Sequence, residues 1–240
     1  MLFRSPCRGG ECARLPVPLS YTAKRTRLIR IAVFRKRAGS PMLRRGALLI
    51  NPGGPGASGI DAARYLSSVL PASITRSFDI VGWDPRGTGA SDSIDCGERL
   101  DYLFTPDTAP DTPAERAALE AASARFAKAC ARRSGDLLGH VSSRDTVEDM
   151  EEIRSALGVK RINYLGYSYG TLLGALYAQR YPQRVRTMVL DGAVDPTVPP
   201  EASLIQQAQG FDGALSRFFG WCDARRSEEH TSELQSRFGI

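Results

Sequence analysis

The sequence is short of histidine, of long apolar runs and, at its start, of acid, and each shortage closes off a class of function. Only two histidines, His140 and His230, occur in 240 residues, and no Cys-x-x-C pair joins Cys7, Cys12, Cys96, Cys130 and Cys222. A zinc cluster therefore lacks ligands at workable spacing, and neither a metal nor another cofactor is expected. No run approaches the roughly 18 apolar residues that a membrane helix needs, so no transmembrane segment is expected. No basic segment followed by an apolar run opens the chain at Met1. Two cases stay open there, a cytoplasmic protein or a secretion signal upstream of the given start. Residues 1–45 carry twelve Lys or Arg against the single acid Glu11, within a net charge of +6. Such an arm raises nucleic acid as a partner. Yet Arg27, Arg30, Arg35 and Arg37 interleave with Leu28, Ile29, Ile31, Val33 and Phe34, as on the exposed faces of a strand pair, without an aromatic stacking platform. Nucleic-acid binding is not expected. Arginine outnumbers lysine 28 to 4, which makes the basicity partly a matter of genomic base composition.

What is present is a chain with 42% hydrophobic residues, long enough for one full core or most of a larger one. Residues 26–36 alternate and then run apolar, predicting an early antiparallel strand before a turn at Gly39 and Pro41. Gly46 to Ile50 predicts a buried strand entering the loop Asn51-Pro52-Gly53-Gly54-Pro55-Gly56, followed by a helix from Ile60 to Leu70. Ser77 to Trp83 predicts a second buried strand, stopping at Asp84-Pro85-Arg86-Gly87. Residues 98–140 are rich in alanine and charge and predict a helical insertion, with a helix from Pro113 to Arg132. Ser143 and Asp145 are candidate caps for a helix that runs to Leu157 and stops at Gly158. A strand at 161–165, a helix at 169–181 and a strand at 185–190 complete βαβ spacing, hence a mostly parallel sheet flanked by helices. After Pro196 the pattern is helical, from Glu201 to Phe219.

Gly166-Tyr167-Ser168-Tyr169-Gly170 matches G-x-S-x-G with a strand before it and a helix after it. A serine on so tight a turn projects its Oγ above the sheet, and the small residues at 166 and 170 let strand end and helix start approach. The positive end of the following helix favours developing negative charge. Ser168 is thus the expected nucleophile. An oxyanion needs two backbone N–H donors. Tyr169, the residue after the nucleophile, is expected to supply one, and Gly54 in the glycine-rich loop the other.

These segments together resemble the prolyl-aminopeptidase-like branch of the α/β-hydrolases, most closely the secreted tripeptidyl aminopeptidases. The likeness runs from about Cys12 to Cys222 through CARLPVPLSY, NPGGPGASG, FDIVGWDPRGTGASD, the Cys96 and Cys130 pair, EIRSALGVKRINYLGYSYGTLLGALYA, VLDGAVDP and FFGWC. It implies an α/β-hydrolase fold and a serine exopeptidase that removes short peptides from free N-termini, using an aspartate and a histidine from later strands. It also implies export and a Cys96–Cys130 bridge. A Cys7–Cys12 pair is expected as well, with Cys222 left without its partner. Asp84, Arg86 and Gly87 match a family motif beside the active site and read as support for that loop.

The acid and base of a triad are expected to be missing from this chain. The order in this fold is serine, acid, histidine. His140 precedes the serine, and Asp191 and Asp195 read as a turn residue and a helix-leading one. His230 lies in RSEEHTSELQS, which from Arg226 abandons the Ala- and Gly-rich composition and resembles a codon-for-codon translation of a common sequencing adapter. Residues 226–240 are expected to be non-native. The division expected is 1–195 for the N-terminal part of the hydrolase domain, truncated before its last strands, and 196–225 for the start of a helical cap. A serine without its base is a poor nucleophile, so this chain is expected to be nearly inactive. The strand at 185–190 becomes a raw edge, with poor solubility as the consequence. The function read from the whole is a peptide-cleaving serine aminopeptidase. Two alternatives are an esterase or other small-molecule hydrolase on the same scaffold and a non-catalytic hydrolase-like binding protein. No signal for an oligomeric state is present.

Overall fold

The computed structural model describes residue 3, residues 5–97 and residues 99–225. His230 and the adapter-like tail therefore lie outside the described residues. The chain divides into two compact units, one ending at Val194 and one starting at Asp195.

The first unit is built on a seven-stranded sheet. It opens with strands β1 (Ser5–Cys7), β2 (Gly10–Pro18) and β3 (Leu28–Lys36), each antiparallel to the next. Residues 28–36 form the expected early strand. Its partner β2 was not legible, because Pro16 and Pro18 interrupt the strand pattern; both sit beyond the short stretch that β1 covers, where a missing N–H breaks no ladder on that side. The arginine interleaving has the expected outcome: Ile29, Ile31 and Val33 are buried while Arg30 is exposed. Leu28 is the exception, left exposed at the strand's start.

The parallel part follows as β4 (Ala47–Asn51), helix α1 (Gly59–Val69), a short helix α2 (Ala72–Thr75) and β5 (Asp79–Trp83). Helix α3 (Pro113–Ser134), flanked by 3-10 turns at Asp101–Leu103 and Gly135–His140, occupies the stretch read as helical. Helix α4 (Ser143–Ala156), β6 (Ile162–Tyr167), α5 (Tyr169–Arg180) and β7 (Val185–Asp191) complete the unit. The cap of α4 is Ser142, one residue before Ser143 and three before Asp145, and its hydroxyl accepts from the Asp145 N–H. Asp145 is therefore the third helical residue, where a carboxylate meets the helix's positive end.

Strand order is β1-β2-β3-β5-β4-β6-β7. Helices cover both faces. On one, Ile60 and Ala63 of α1 pack against Phe34, Ile50 and Ile80. On the other, Val147, Met150 and Ile153 of α4 and Leu173 and Tyr177 of α5 pack against Leu49, Val81, Trp83, Ile162 and Tyr164. β4 and β5 are buried on both faces, as strands between two helix layers must be. Disulfides join Cys7 to Cys12 and Cys96 to Cys130, the second tying α3 to the loop after β5.

The second unit is one helix among the described residues, α6 (Pro200–Ala224), longer than the expected 201–219. It carries the free thiol Cys222.

Candidate active site

The chain runs from β4 to β5 on one side and later returns to place β6 on the other side of β4, so the strand order reverses at β4. Reversal opens a crevice beyond the C-terminal ends of the two strands, the usual ligand position in open parallel sheets. Two loops meet there: the one after Asn51, the last residue of β4, and the turn after Tyr167, the last residue of β6. Asn51 lies directly opposite Gly166 in the ladder.

Ser168 is the cap of α5, with φ 51° and ψ −125°, and is the only non-glycine residue with positive φ among the described residues. Such a conformation costs of order 1–3 kcal/mol and persists only where its surroundings impose it. Those surroundings are identifiable. The Ser168 N–H donates to the Asp191 carbonyl at the end of β7 at 2.9 Å, and the Ser168 carbonyl accepts from both the N–H and the hydroxyl of Thr171. Thr171 is itself held, since its hydroxyl accepts from the Val194 N–H at 2.8 Å. Tyr164 braces Gly170, two residues after the serine, by donating its buried hydroxyl to the Gly170 carbonyl. The side chain left at the tip is exposed and makes no hydrogen bond among the described residues.

Of the expected oxyanion residues, Tyr169 follows this serine in the chain and Gly54 follows Gly53, on which a Cβ would lie 3.1 Å from the Ser168 Cβ. Neither the Tyr169 N–H, first in α5, nor the Gly54 N–H makes a hydrogen bond among the described residues, so both donors are unspent. Gly53 was missed at the level of sequence, yet it makes the closest approach. A Cβ on it would lie 2.5 Å from the Tyr167 carbonyl oxygen and 2.9 Å from the Tyr169 nitrogen, and its φ is +90°. Only glycine lets the loop lie against the nucleophile turn. The signal was the glycine pair itself, which does not say which member faces the serine.

A cavity of about 200 Å³ adjoins the turn, lined by Asn51, Gly53, Gly87, Thr88, Val141, Ser143, Tyr169 and Leu173 among others. No acidic side chain lines it. The Tyr169 hydroxyl is hydrogen-bonded to Ser143 in the first turn of α4, which fixes one wall.

Arg86 forms the floor of this region and is fully buried. It pairs through two nitrogens with Asp149 of α4 at 2.6 and 2.7 Å and donates to the carbonyls of Pro18, Leu19 and His140. Burial opposes its charge, but the Asp149 carboxylate holds its pKa above the usual arginine value. Burial and the same carboxylate push the Tyr21 phenol upward, so Tyr21 stays neutral and donates to Asp149 at 2.7 Å. Asp84 caps α1, its carboxylate accepting from the Ser58 hydroxyl, the Ile60 N–H and the Ala90 N–H. Both residues thus support the loops, and Gly87 closes the turn through a hydrogen bond to the Asp92 carbonyl.

Among the described residues neither His140 nor Asp191 makes a side-chain hydrogen bond to Ser168. His140, the only histidine among the described residues, ends a 3-10 turn and contributes its carbonyl to Arg86; its imidazole makes no described hydrogen bond to the serine. Asp191 is the last residue of β7, not a turn residue, and serves Ser168 through its backbone carbonyl. Asp195 turns the chain onto Thr197, which donates to it from both N–H and hydroxyl and holds its pKa below the ordinary carboxylate value. It stands five residues before α6, whose cap is Pro199. Among the described residues no group of three or more His, Cys, Asp or Glu could hold a metal ion.

Residues 46–238 match the family described as alpha/beta hydrolase fold. A tripeptidyl aminopeptidase of Streptomyces coelicolor is 37% identical over 234 residues, covering 94% of this chain and 43% of that protein. Serine protease Hip1 of Mycobacterium tuberculosis is 38% identical over 232 residues, covering 91% and 44%. Carboxylesterase B of Mycobacterium tuberculosis is 39% identical over 223 residues, covering 91% and 42%. The chain therefore spans less than half the length of these curated relatives.

Proposed function

Because the chain belongs to the α/β-hydrolase fold family, we propose that the whole protein is a serine aminopeptidase of that family, with Ser168 as nucleophile. The observation that carries the reading is the strained Ser168, held by Thr171 and Asp191 between two unspent N–H donors at the sheet's switch point. Strain without a structural beneficiary fits a group displayed for chemistry.

In the proposed reaction the Ser168 Oγ attacks the scissile carbonyl carbon while its proton passes to a histidine base. The carbonyl π pair moves onto oxygen, which takes hydrogen bonds from the Tyr169 and Gly54 N–H groups. Collapse re-forms the carbonyl, breaks the C–N bond and sends the proton from the histidine to the leaving amine. Water then enters by the same base and frees the acyl group, regenerating the serine. The acid and the histidine come, in this reading, from polypeptide outside residues 1–225, so residues 1–225 alone turn over substrate barely at all. The proposed substrate is a peptide with a free N-terminus, one relative being a tripeptidyl aminopeptidase, and the two disulfides support a setting outside the cytoplasm.

A second reading has one observation in its favour. The cavity beside Ser168 has no acidic lining to meet a peptide's ammonium group, and one relative is named a carboxylesterase. In the peptidase reading that acid also comes from outside residues 1–225. Comparing the full-length protein on a peptide anilide with a free amino terminus, on its N-acetylated form and on a simple acyl ester separates the two. A peptidase cleaves the first and loses it on acetylation; preference for the ester with indifference to acetylation contradicts the proposal.

A further inference from the structure

The residue that ties the two halves of this site together is Asn51, and nothing in the reaction above uses it. Asn51 ends β4, is 1% exposed and lines the cavity beside the serine. Its side-chain Oδ1 accepts from the Gly53 N–H at 2.9 Å, bending the chain over Pro52 into a side-chain-closed turn. Gly53 is the residue whose Cα lies against Tyr167 and Tyr169. On its other side Asn51 touches the helix that follows the nucleophile: a Cβ on Gly170 would come within 2.5 Å of the Asn51 carbonyl oxygen and 2.8 Å of its Oδ1. One carboxamide therefore bridges the glycine loop and the first turn of α5.

The other end of that carboxamide is also informative. Nδ2 is buried with no hydrogen-bond partner among the described residues. A buried donor without an acceptor costs free energy, and an apolar residue of the same shape would avoid that cost. The resting fold accounts for an acceptor at position 51 but not for the Nδ2 donor.

We infer that Asn51 is a positioning residue for catalysis, fixing the Gly53–Gly54 backbone so that the Gly54 N–H and the Tyr169 N–H converge on one oxygen. The inference rests on the proposed hydrolase reading. Asn51 does not touch the reacting atoms through Oδ1; it acts through Gly53. Loss of the acceptor frees the loop to move away from the nucleophile turn, and the effect falls on the transition state, where the oxyanion exists, more than on substrate binding.

The test compares Asn51→Ala and Asn51→Ser in the full-length protein on one ester and one peptide anilide, with thermal melting of each variant. Serine offers a hydroxyl oxygen that can close the same turn. The expected result is a kcat roughly 10- to 100-fold lower for Asn51→Ala, on the scale of losing an oxyanion donor, with KM little changed and melting close to wild type. Asn51→Ser should recover much of that loss. A kcat for Asn51→Ala within about twofold of wild type overturns the inference on that same scale, as does an Asn51→Ser protein no faster than Asn51→Ala. Should Asn51→Ala fail to fold, Asn51→Leu, its apolar match in shape, takes its place under the same criteria. Ser168→Ala run alongside separates the two failures: activity surviving in Ser168→Ala defeats the hydrolase reading itself, whereas a dead Ser168→Ala beside a fast Asn51→Ala defeats only the role given to Asn51.

Discussion

Three residues at the nucleophile turn carry unequal burdens. In the proposed reaction Ser168 supplies the reactive atom and Tyr169 a donor, while Gly53 gives the space that lets loop and turn touch. Gly53→Ala should be disruptive both to the fold and to the site. The added Cβ meets backbone, not a flexible side chain, at 2.5 Å, and the φ of +90° is strained for alanine. Overpacking and strain each cost about 1–3 kcal/mol. A clear fall in melting temperature together with loss of activity in the full-length protein is expected, and a melting temperature equal to wild type would show that the loop does not lie where described. Glu11 gives a second prediction at this scale. Arg37, chiefly by hydrogen bonding, and Arg35 hold its pKa below the ordinary carboxylate value. A depressed folded pKa contributes stability above the unfolded value of about 4.3, and that stability is lost as pH falls through the folded pKa. Melting of the wild type should therefore drop more between pH 6 and pH 3 than melting of Glu11→Gln; equal slopes would show that the pair is screened by solvent.

Among the elements, α3 depends most on a single link. Its buried residues are Ala122 and Cys130 alone, so little apolar burial docks it, and the Cys96–Cys130 disulfide closes a separation of 34 residues. Such a link contributes roughly 2–4 kcal/mol. Mild reduction, or Cys96→Ser with Cys130→Ser, should expose residues 101–134 to proteases while the sheet stays folded; uniform resistance before and after reduction would contradict this. The same element shows what a sequence can reveal. Its start at Pro113 was legible from an alanine- and charge-rich stretch, and in the structure the Thr112 cap, with Glu115 closing the box, fixes that start. The strands β4 to β7 were legible for a similar reason, being short apolar runs bounded by turn residues. β2 was not, because two prolines masked a strand whose pairing is decided by β3, far along the chain. Neither was the Arg86–Asp149–Tyr21 network, which joins residues separated by 63 and 128 positions. Ser168 could be read because a strand, a tight turn and a helix are adjacent in sequence; which glycine touches it could not, because that contact is made across the sheet.

At the scale of the molecule, the sheet ends at β7 among the described residues. That strand pairs with β6 on one side only and leaves Val189 59% and Leu190 36% exposed. An unpaired, partly apolar edge invites pairing with another chain. Residues 1–225 expressed alone should associate or precipitate, and Val189→Lys should shift them toward monomer in size-exclusion chromatography; a monodisperse parent protein of this length would contradict that expectation. The proposed chemistry turns on one atom, the Ser168 Oγ, displayed by a strained turn, with the Tyr169 and Gly54 N–H groups as its proposed oxyanion donors. The most direct test is mass spectrometry of the full-length protein after reaction with a fluorophosphonate. A single adduct on the peptide containing Ser168, absent in Ser168→Ala along with all hydrolytic activity, is the predicted result. An unlabelled Ser168 in a protein that still hydrolyses peptides or esters would contradict it.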